Sequence, residues 1–224
     1  MTRHALLVLA AFATTRAHAD SLDQIFARMD DSAKKFKSVS ADVHRVEFTA
    51  VINESSEEDG KMRLKRSKNG IVGVVEFTGS DARSIGFHGR MIEMYLPKAK
   101  TVQRADTSKY TSSLDAYLLL AFGTATSKEL KAAYDIAAGG ADMIDGKRTT
   151  RLDLIPKSSE VRKLATKIEL WIPDGDTIAL REKINEPSKN TVSFIYSGVK
   201  INPSLPDSDF ELKIPPGTKA VQIK

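Results

Sequence analysis

The chain has 224 residues, no cysteine and a formal net charge of +5. The lack of cysteine excludes disulfides, thiolate metal sites and lipid attachment through a cysteine. The positive charge is mild, and its basic residues interleave with acidic ones along the strands, so no nucleic-acid-binding stripe stands out.

Residues 1–19 read as a secretory signal peptide. Arg3 and His4 make a short basic start, Ala5 to Ala13 is an apolar run too short to span a bilayer, and Ala17-His18-Ala19 is a small-x-small cleavage site. Cleavage is expected after Ala19, which leaves 205 residues with 32 basic and 29 acidic side chains. Residues 20–224 then read as one exported β-rich domain, long enough to bury a sizeable core.

The first element is a helix over residues 21–37. Leu22, Ile25, Phe26, Met29, Ala33 and Phe36 recur on one face, and Ser21 with Gln24 fits a capping box. Val39 to Ile52 predicts a long strand whose apolar phase flips near His44-Arg45, where a bulge or bend is expected. Val39, Ala41 and Val43 hold odd positions; Val46, Phe48 and Ile52 hold even ones. Asn53 to Gly60 is expected as a solvated acidic turn, without the ligand spacing of a calcium loop. A strand at 61–66 then sets Met62, Leu64 and Arg66 on one side. An arginine there must be paired, or must reach water along its stem.

Further alternation runs through Ile71, Val75 and Phe77, with Gly73 as an expected bend, then Ile85 and Phe87. His88-Gly89-Arg90 is a tight turn into Ile92, Met94 and Leu96, and residues 101–104 make a short strand. The pattern breaks at 108–134. Residues 113–123 read as a helix ending near Gly123, apolar almost all round in its second half. Thr126 and Glu129 suggest a second capping box for a short helix through Ala133. Strands resume with Tyr134, Ile136 and Ala138, turn at Gly139-Gly140 and Asp145-Gly146, and continue through Leu152 and Leu154.

Residues 165–201 show the clearest meander. Ile168, Leu170 and Ile172 alternate with Lys167, Glu169 and Trp171. Pro173-Asp174-Gly175-Asp176 turns the chain into Ile178, Leu180 and Ile184. Val192, Phe194 and Tyr196 follow, and Gly198 marks a change of phase that predicts a bulge. Trp171 is out of phase with the apolar face and is expected at an outer or edge contact. The proline-rich tail from Pro203 is expected as an edge segment or packed loop.

Catalytic signatures are sparse. His44 and His88 are the histidines that remain after cleavage, and neither neighbours a ligand or nucleophile set. No Gly-x-Ser-x-Gly, His-Glu-x-x-His or phosphate loop is present, and no cofactor or metal is implied. A large sheet with one apolar face and apolar helices over it fits a carrier of greasy ligands. It fits equally a closed α+β core.

Four short motifs occur in order along the exported chain: Leu64-Lys65-Arg66, Gly89-Arg90-Met91 through Tyr95-Leu96-Pro97, Leu154-Ile155-Pro156-Lys157, and Phe210 through Pro215-Pro216-Gly217. In these motifs and their order, over essentially the whole exported chain, this sequence resembles the periplasmic outer-membrane lipoprotein carrier family, called LolA-like. The first is similar to that family's Lys-Arg-Pro strand end, with Ser67 in place of the proline, and the second to its Asp-Gly-Lys hairpin ending in Tyr-x-Pro, with His88 where aspartate often stands. The third resembles its Leu-x-Pro-Lys strand end and the fourth its closing Phe-x-x-x-x-Pro-Pro-Gly.

The resemblance implies an α+β, mainly β fold: an incomplete antiparallel barrel with helices covering its concave apolar face. It implies a non-enzymatic periplasmic carrier that binds acyl chains of lipoproteins or related lipids for transfer toward the outer membrane. The lining is expected from Leu22, Phe26 and Met29 of the first helix and from Leu114, Tyr117, Leu118 and Phe122 of the second. On the sheet it is expected from Phe48, Met62, Leu64, Ile92 and Met94, and from Ile168, Leu170, Ile178, Leu180, Phe194 and Tyr196. Arg66 is expected to act as a latch on lid backbone from 113–123. The implied partners are an inner-membrane donor complex and an outer-membrane acceptor, with no nucleic acid, and the chain is expected to be a monomer. A lipid-sensing regulatory module of the same fold and an exported hydrolase are the alternatives.

Overall fold

A computed structural model describes residues 20–68, 70–106 and 125–223. Helix α1, Leu22–Lys35, opens the chain. Its N-terminus carries the expected reciprocal cap: the Ser21 backbone N–H donates to Gln24 Oε1 at 2.8 Å and the Gln24 N–H donates to Ser21 Oγ at 3.3 Å. Strands β1 (Ser38–Thr49), β2 (Glu54–Ser67), β3 (Gly70–Phe77), β4 (Arg83–His88), β5 (Met91–Leu96) and β6 (Thr101–Asp106) follow as a meander. Helix α2, Ser127–Ala133, is capped by Thr126 and Glu129 in the same reciprocal way. Strands β7 (Tyr134–Ile144) and β8 (Lys147–Pro156), the short helix α3 (Ser159–Arg162), and strands β9 (Lys167–Pro173), β10 (Arg181–Asn185) and β11 (Thr191–Ile201) continue the chain. A 3₁₀ turn at Asp207–Phe210 and strand β12 (Lys219–Ile223) end it.

The twelve described strands form one sheet, in the order β12-β6-β5-β4-β3-β2-β1-β11-β10-β9-β8-β7. Every pairing is antiparallel except that of β12 with β6. The sheet is open, so the architecture is the incomplete barrel that the sequence motifs imply. The Pro-rich tail becomes a packed turn followed by an edge strand. Phe210 is buried, with Lys65 Nζ 4.9 Å from its ring centroid.

Local details correct the sequence expectations in several places. The β1–β2 ladder runs unbroken from Ser38–Lys65 to Thr49–Glu54, so no bulge exists at His44-Arg45. The register shift in β1 instead lies between Ser40 and Asp42, opposite Gly198. Gly198 holds φ +58°, a left-handed conformation that suits glycine, as the change of phase there predicts. The acidic run Glu54–Asp59 is strand rather than turn: Glu58 pairs with Arg45 and Arg83, and Asp59 Oδ1 lies 2.8 Å from His44 Nδ1. Gly73 causes no break in the ladder; it is a point of close approach, where a Cβ would sit 2.1 Å from the Arg63 carbonyl oxygen. Gly139-Gly140 is a register shift within β7 rather than a turn. Ile178 and Leu180 precede β10 instead of belonging to it, although the Leu180 N–H still donates to the Trp171 carbonyl at 2.9 Å. The predicted signal peptide and the predicted helix 113–123 lie outside the described residues.

Candidate functional site: the inner face of the sheet

Side chains directly opposite each other in neighbouring strands share a face. The register therefore traces one face across the sheet. Leu154 stands opposite Ile168, Ile168 opposite Ile184 and Ile184 opposite Val192. One pair along, Leu152 meets Leu170, Leu170 meets Glu182 and Glu182 meets Phe194. Tyr196 meets Val43, Ala41 meets Met62, Met62 meets Val75, Val75 meets Ile85 and Ile85 meets Met94. This is the inner face, and it is apolar along most of its length. The opposite face of β8–β10 is charged: Lys167 and Arg151 form ion pairs with Asp153 and Glu169. Trp171 belongs to that outer side, as its phase predicts. It is buried because Arg181 lies 4.8 Å from its ring and its Nε1–H donates to Asp142 Oδ2 at 3.1 Å.

Two clusters cover the inner face. The first contains Ile25, Phe26 and Met29 of α1 and Leu130, packed on Leu152, Leu154, Ile168, Leu170, Ile184 and Val192. Leu22 packs at its margin. Burying each large aliphatic side chain stabilises by about 1.5–3 kcal/mol, and this fixes α1 over the β8–β11 half of the sheet. Asp30 ties α1 to α2: its carboxylate accepts the Ser127 N–H at 2.7 Å and hydroxyl at 2.6 Å. Those hydrogen bonds hold its pKa below the usual carboxylate range. The second cluster joins Phe36, Val39, Ala41, Val43, Met62, Leu64, Ile71, Phe77, Phe87 and Tyr196, with Ile92 packed against it. Phe194 touches both clusters.

The expected lining residues thus divide. Phe26, Met29, Ile168 and Leu170 meet in the first cluster, while Met62, Leu64 and Tyr196 meet in the second. Met94 is half-buried on the same face through its pairing with Ile85. Ile178, Leu180 and Tyr196 line a cavity of about 290 Å³ at the end of β11, with Val199 and Ile201 beside them and Asp145, Lys147 and Asp176 around it. Phe48 is placed elsewhere: strand alternation turns it to the opposite side from Val39, Ala41 and Val43, and it enters neither cluster. Leu114, Tyr117, Leu118 and Phe122 lie outside the described residues. Arg66 follows Met62 and Leu64 in phase at the end of β2, where it is exposed and its backbone N–H donates to the Lys37 carbonyl at 2.8 Å.

Charged groups enter the inner face in two settings. At one end Glu58 accepts from Arg45 at 2.7 Å and from Arg83 at 2.6 Å, and Arg45 also pairs with Glu47. Burial raises the Glu58 pKa, but the two guanidinium groups outweigh it and hold the carboxyl below its ordinary range. Further in, Glu182 is 1% exposed, and burial pushes its carboxyl up to about 7 against a single hydrogen bond from the Tyr196 hydroxyl at 3.2 Å. Its Oε1 has no partner among the described residues, and neither has the buried Tyr134 hydroxyl. Burial and the nearby Glu182 carboxylate raise the Tyr134 pKa well above the usual phenol value. Sequence reading singled out Arg66 as the misplaced charge and passed over Glu182. The signal was present: Glu182 holds the same phase as Leu180 and Ile184.

No group of three or more residues able to hold a metal ion occurs among the described residues. Nor is any described helix long and apolar enough to cross a membrane.

No protein-family model and no curated protein matches the chain by sequence. Solved structures do. An uncharacterized conserved protein from Thermus thermophilus is similar at a TM-score of 0.54 and 12% identity, over 91% of this chain and 100% of that one. A LolA superfamily protein from Nitrosomonas europaea is similar at a TM-score of 0.40 and 13% identity, over 87% and 99% of the two chains. The lipoprotein LppX from Mycobacterium tuberculosis is similar at a TM-score of 0.47 and 18% identity, over 83% and 99%. By its sequence motifs the chain resembles the LolA-like family, and the likeness to the Thermus thermophilus structure, at 12% identity, shows a shared fold.

Proposed function

We propose that this chain is a non-enzymatic carrier of acyl chains, exported to the periplasm and delivering lipoproteins or related lipids toward the outer membrane. The observation that supports it best is the inner face itself: apolar side chains in register from β5 to β8, set against a charged outer face, with helical cover on one half. The half under α1 is filled by Phe26 and Met29. A chain entering there displaces the helix. The β1–β5 half, where Ile85, Ile92 and Met94 are half-buried, admits a chain with less rearrangement.

Each buried CH₂ contributes about 0.8 kcal/mol, so part of one acyl chain suffices for useful binding. The same gain must be offset at release. This favours handover between an inner-membrane donor and an outer-membrane acceptor, with Arg66 controlling the cover. Gentle purification of the exported protein, followed by native mass spectrometry and lipid extraction, tests the reading. An acyl-bearing molecule is expected to stay bound. A protein that never retains or takes up such a molecule is not a carrier of this kind.

A further inference from the structure

We infer that Glu182 forms a polar subsite on the inner face, which receives the uncharged hydrogen-bonding head of an amphiphile, such as a hydroxyl, while the acyl chain lies on the apolar rows beside it. The inference rests on the carrier reading and specifies its ligand. Glu182 stands between Leu170 and Phe194 in the register, with apolar side chains directly opposite it on both neighbouring strands. A carboxyl that is 1% exposed costs stability unless its oxygens are satisfied. Tyr196 satisfies only Oε2, leaving Oε1 without a partner among the described residues.

Tyr196 also lines the cavity of about 290 Å³. The residue that anchors Glu182 is thus a wall of the available space. Among the described residues Glu182 has no ion-pair partner; the group that meets its carboxyl is the Tyr196 phenol, and the Tyr134 hydroxyl lies within its electrostatic reach. An anionic head has no cation paired at this carboxyl to meet, whereas a hydroxyl can both donate to and accept from a carboxyl group. A ligand that brings no hydroxyl leaves the buried carboxyl oxygen unpaired, so a plain ester gains less from this position.

Binding of 1-monopalmitoylglycerol, methyl palmitate and palmitate to the purified exported protein, measured by displacement of a fluorescent acyl probe, tests the subsite. The wild type is expected to prefer monopalmitoylglycerol over methyl palmitate by about tenfold, the worth of one buried hydrogen bond, and to take palmitate no better than the methyl ester. Glu182→Leu should abolish the preference. Glu182→Gln, which keeps a donor and an acceptor, should retain part of it. Glu182→Ala gives the same readout where Glu182→Leu does not fold. Equal binding of the two neutral ligands by the wild type, or a preference that survives Glu182→Leu, overturns the subsite and leaves the carrier reading intact. Failure of the wild type to bind any of the three overturns both.

Discussion

Glu182 is where residue-level physics departs furthest from the surrounding pattern. Its pKa, about 7 in the folded chain against an ordinary value of 4.5, means that the native state keeps a proton the unfolded chain releases between those pH values. The contribution of this residue to stability is therefore greatest below pH 4.5, and it falls as pH rises toward 7. The loss is on the order of 3 kcal/mol. Urea midpoints of wild type and Glu182→Gln across pH 4.5 to 8 measure it: the substitution should flatten the decline and leave the variant the more stable of the two at pH 8. Parallel curves would show that Glu182 is not kept protonated by the fold. Glu58 and Asp30 act in the opposite direction. Their lowered pKa values stabilise the native state above the ordinary carboxylate range, and that contribution is lost as pH falls below it. The two effects occupy different pH windows and separate cleanly.

At the scale of elements, α1 packs over the β8–β11 half of the inner face. Its apolar face was legible in the spacing of Leu22, Ile25, Phe26, Met29 and Ala33, and both capping boxes were legible at Ser21 and Thr126, since these signals are local. Strand phases were equally legible at Met62 and Leu64, or at Ile168 and Leu170, because alternation is a property of neighbouring residues. Phase failed in β1. There Val46 and Phe48 suggested a flip, yet an unbroken ladder to β2 keeps Arg45 and Glu47 inward, where Arg45 pairs with Glu47 and with Glu58 of β2. Only the partner strand supplies Glu58. Met29, 1% exposed at the centre of the α1 contact, is the residue to truncate. Met29→Ala should cost about 2–5 kcal/mol by urea denaturation if α1 is a fixed part of the core. A cost below about 1 kcal/mol, with α1 amides exchanging faster than those of β9, would mark α1 as a loosely held cover.

For the whole molecule, the open twelve-stranded sheet with one apolar face sets the functional reading, and Arg66 sits where that face ends. Arg66→Leu is expected to change the rate at which an acyl ligand transfers from this protein to acceptor vesicles by severalfold, with little change in the urea midpoint, because the side chain is exposed. Transfer at the wild-type rate would remove the latch role. The small cavity beside Tyr196 and the packed region under α1 are parts of the same face, so ligand uptake should be accompanied by faster amide exchange in α1 before occupancy and slower exchange after it.

The sequence by itself determined the periodicities: which stretches alternate, which helix has a greasy side, where the caps and the Asp145-Gly146 and Asp174-Gly175 turns fall. It also held the ordered motifs that resemble the LolA-like family. Each of these is encoded within a few neighbouring residues, where sterics and local hydrogen bonds set the outcome. Tertiary structure alone decided which side of each strand is the inner face over its full length, that Phe48 turns away from it, that the acidic run Glu54–Asp59 is strand, and that Glu182 is buried with one oxygen unpaired among the described residues. Those outcomes depend on register between strands far apart in the chain, and on desolvation by side chains that no local window contains.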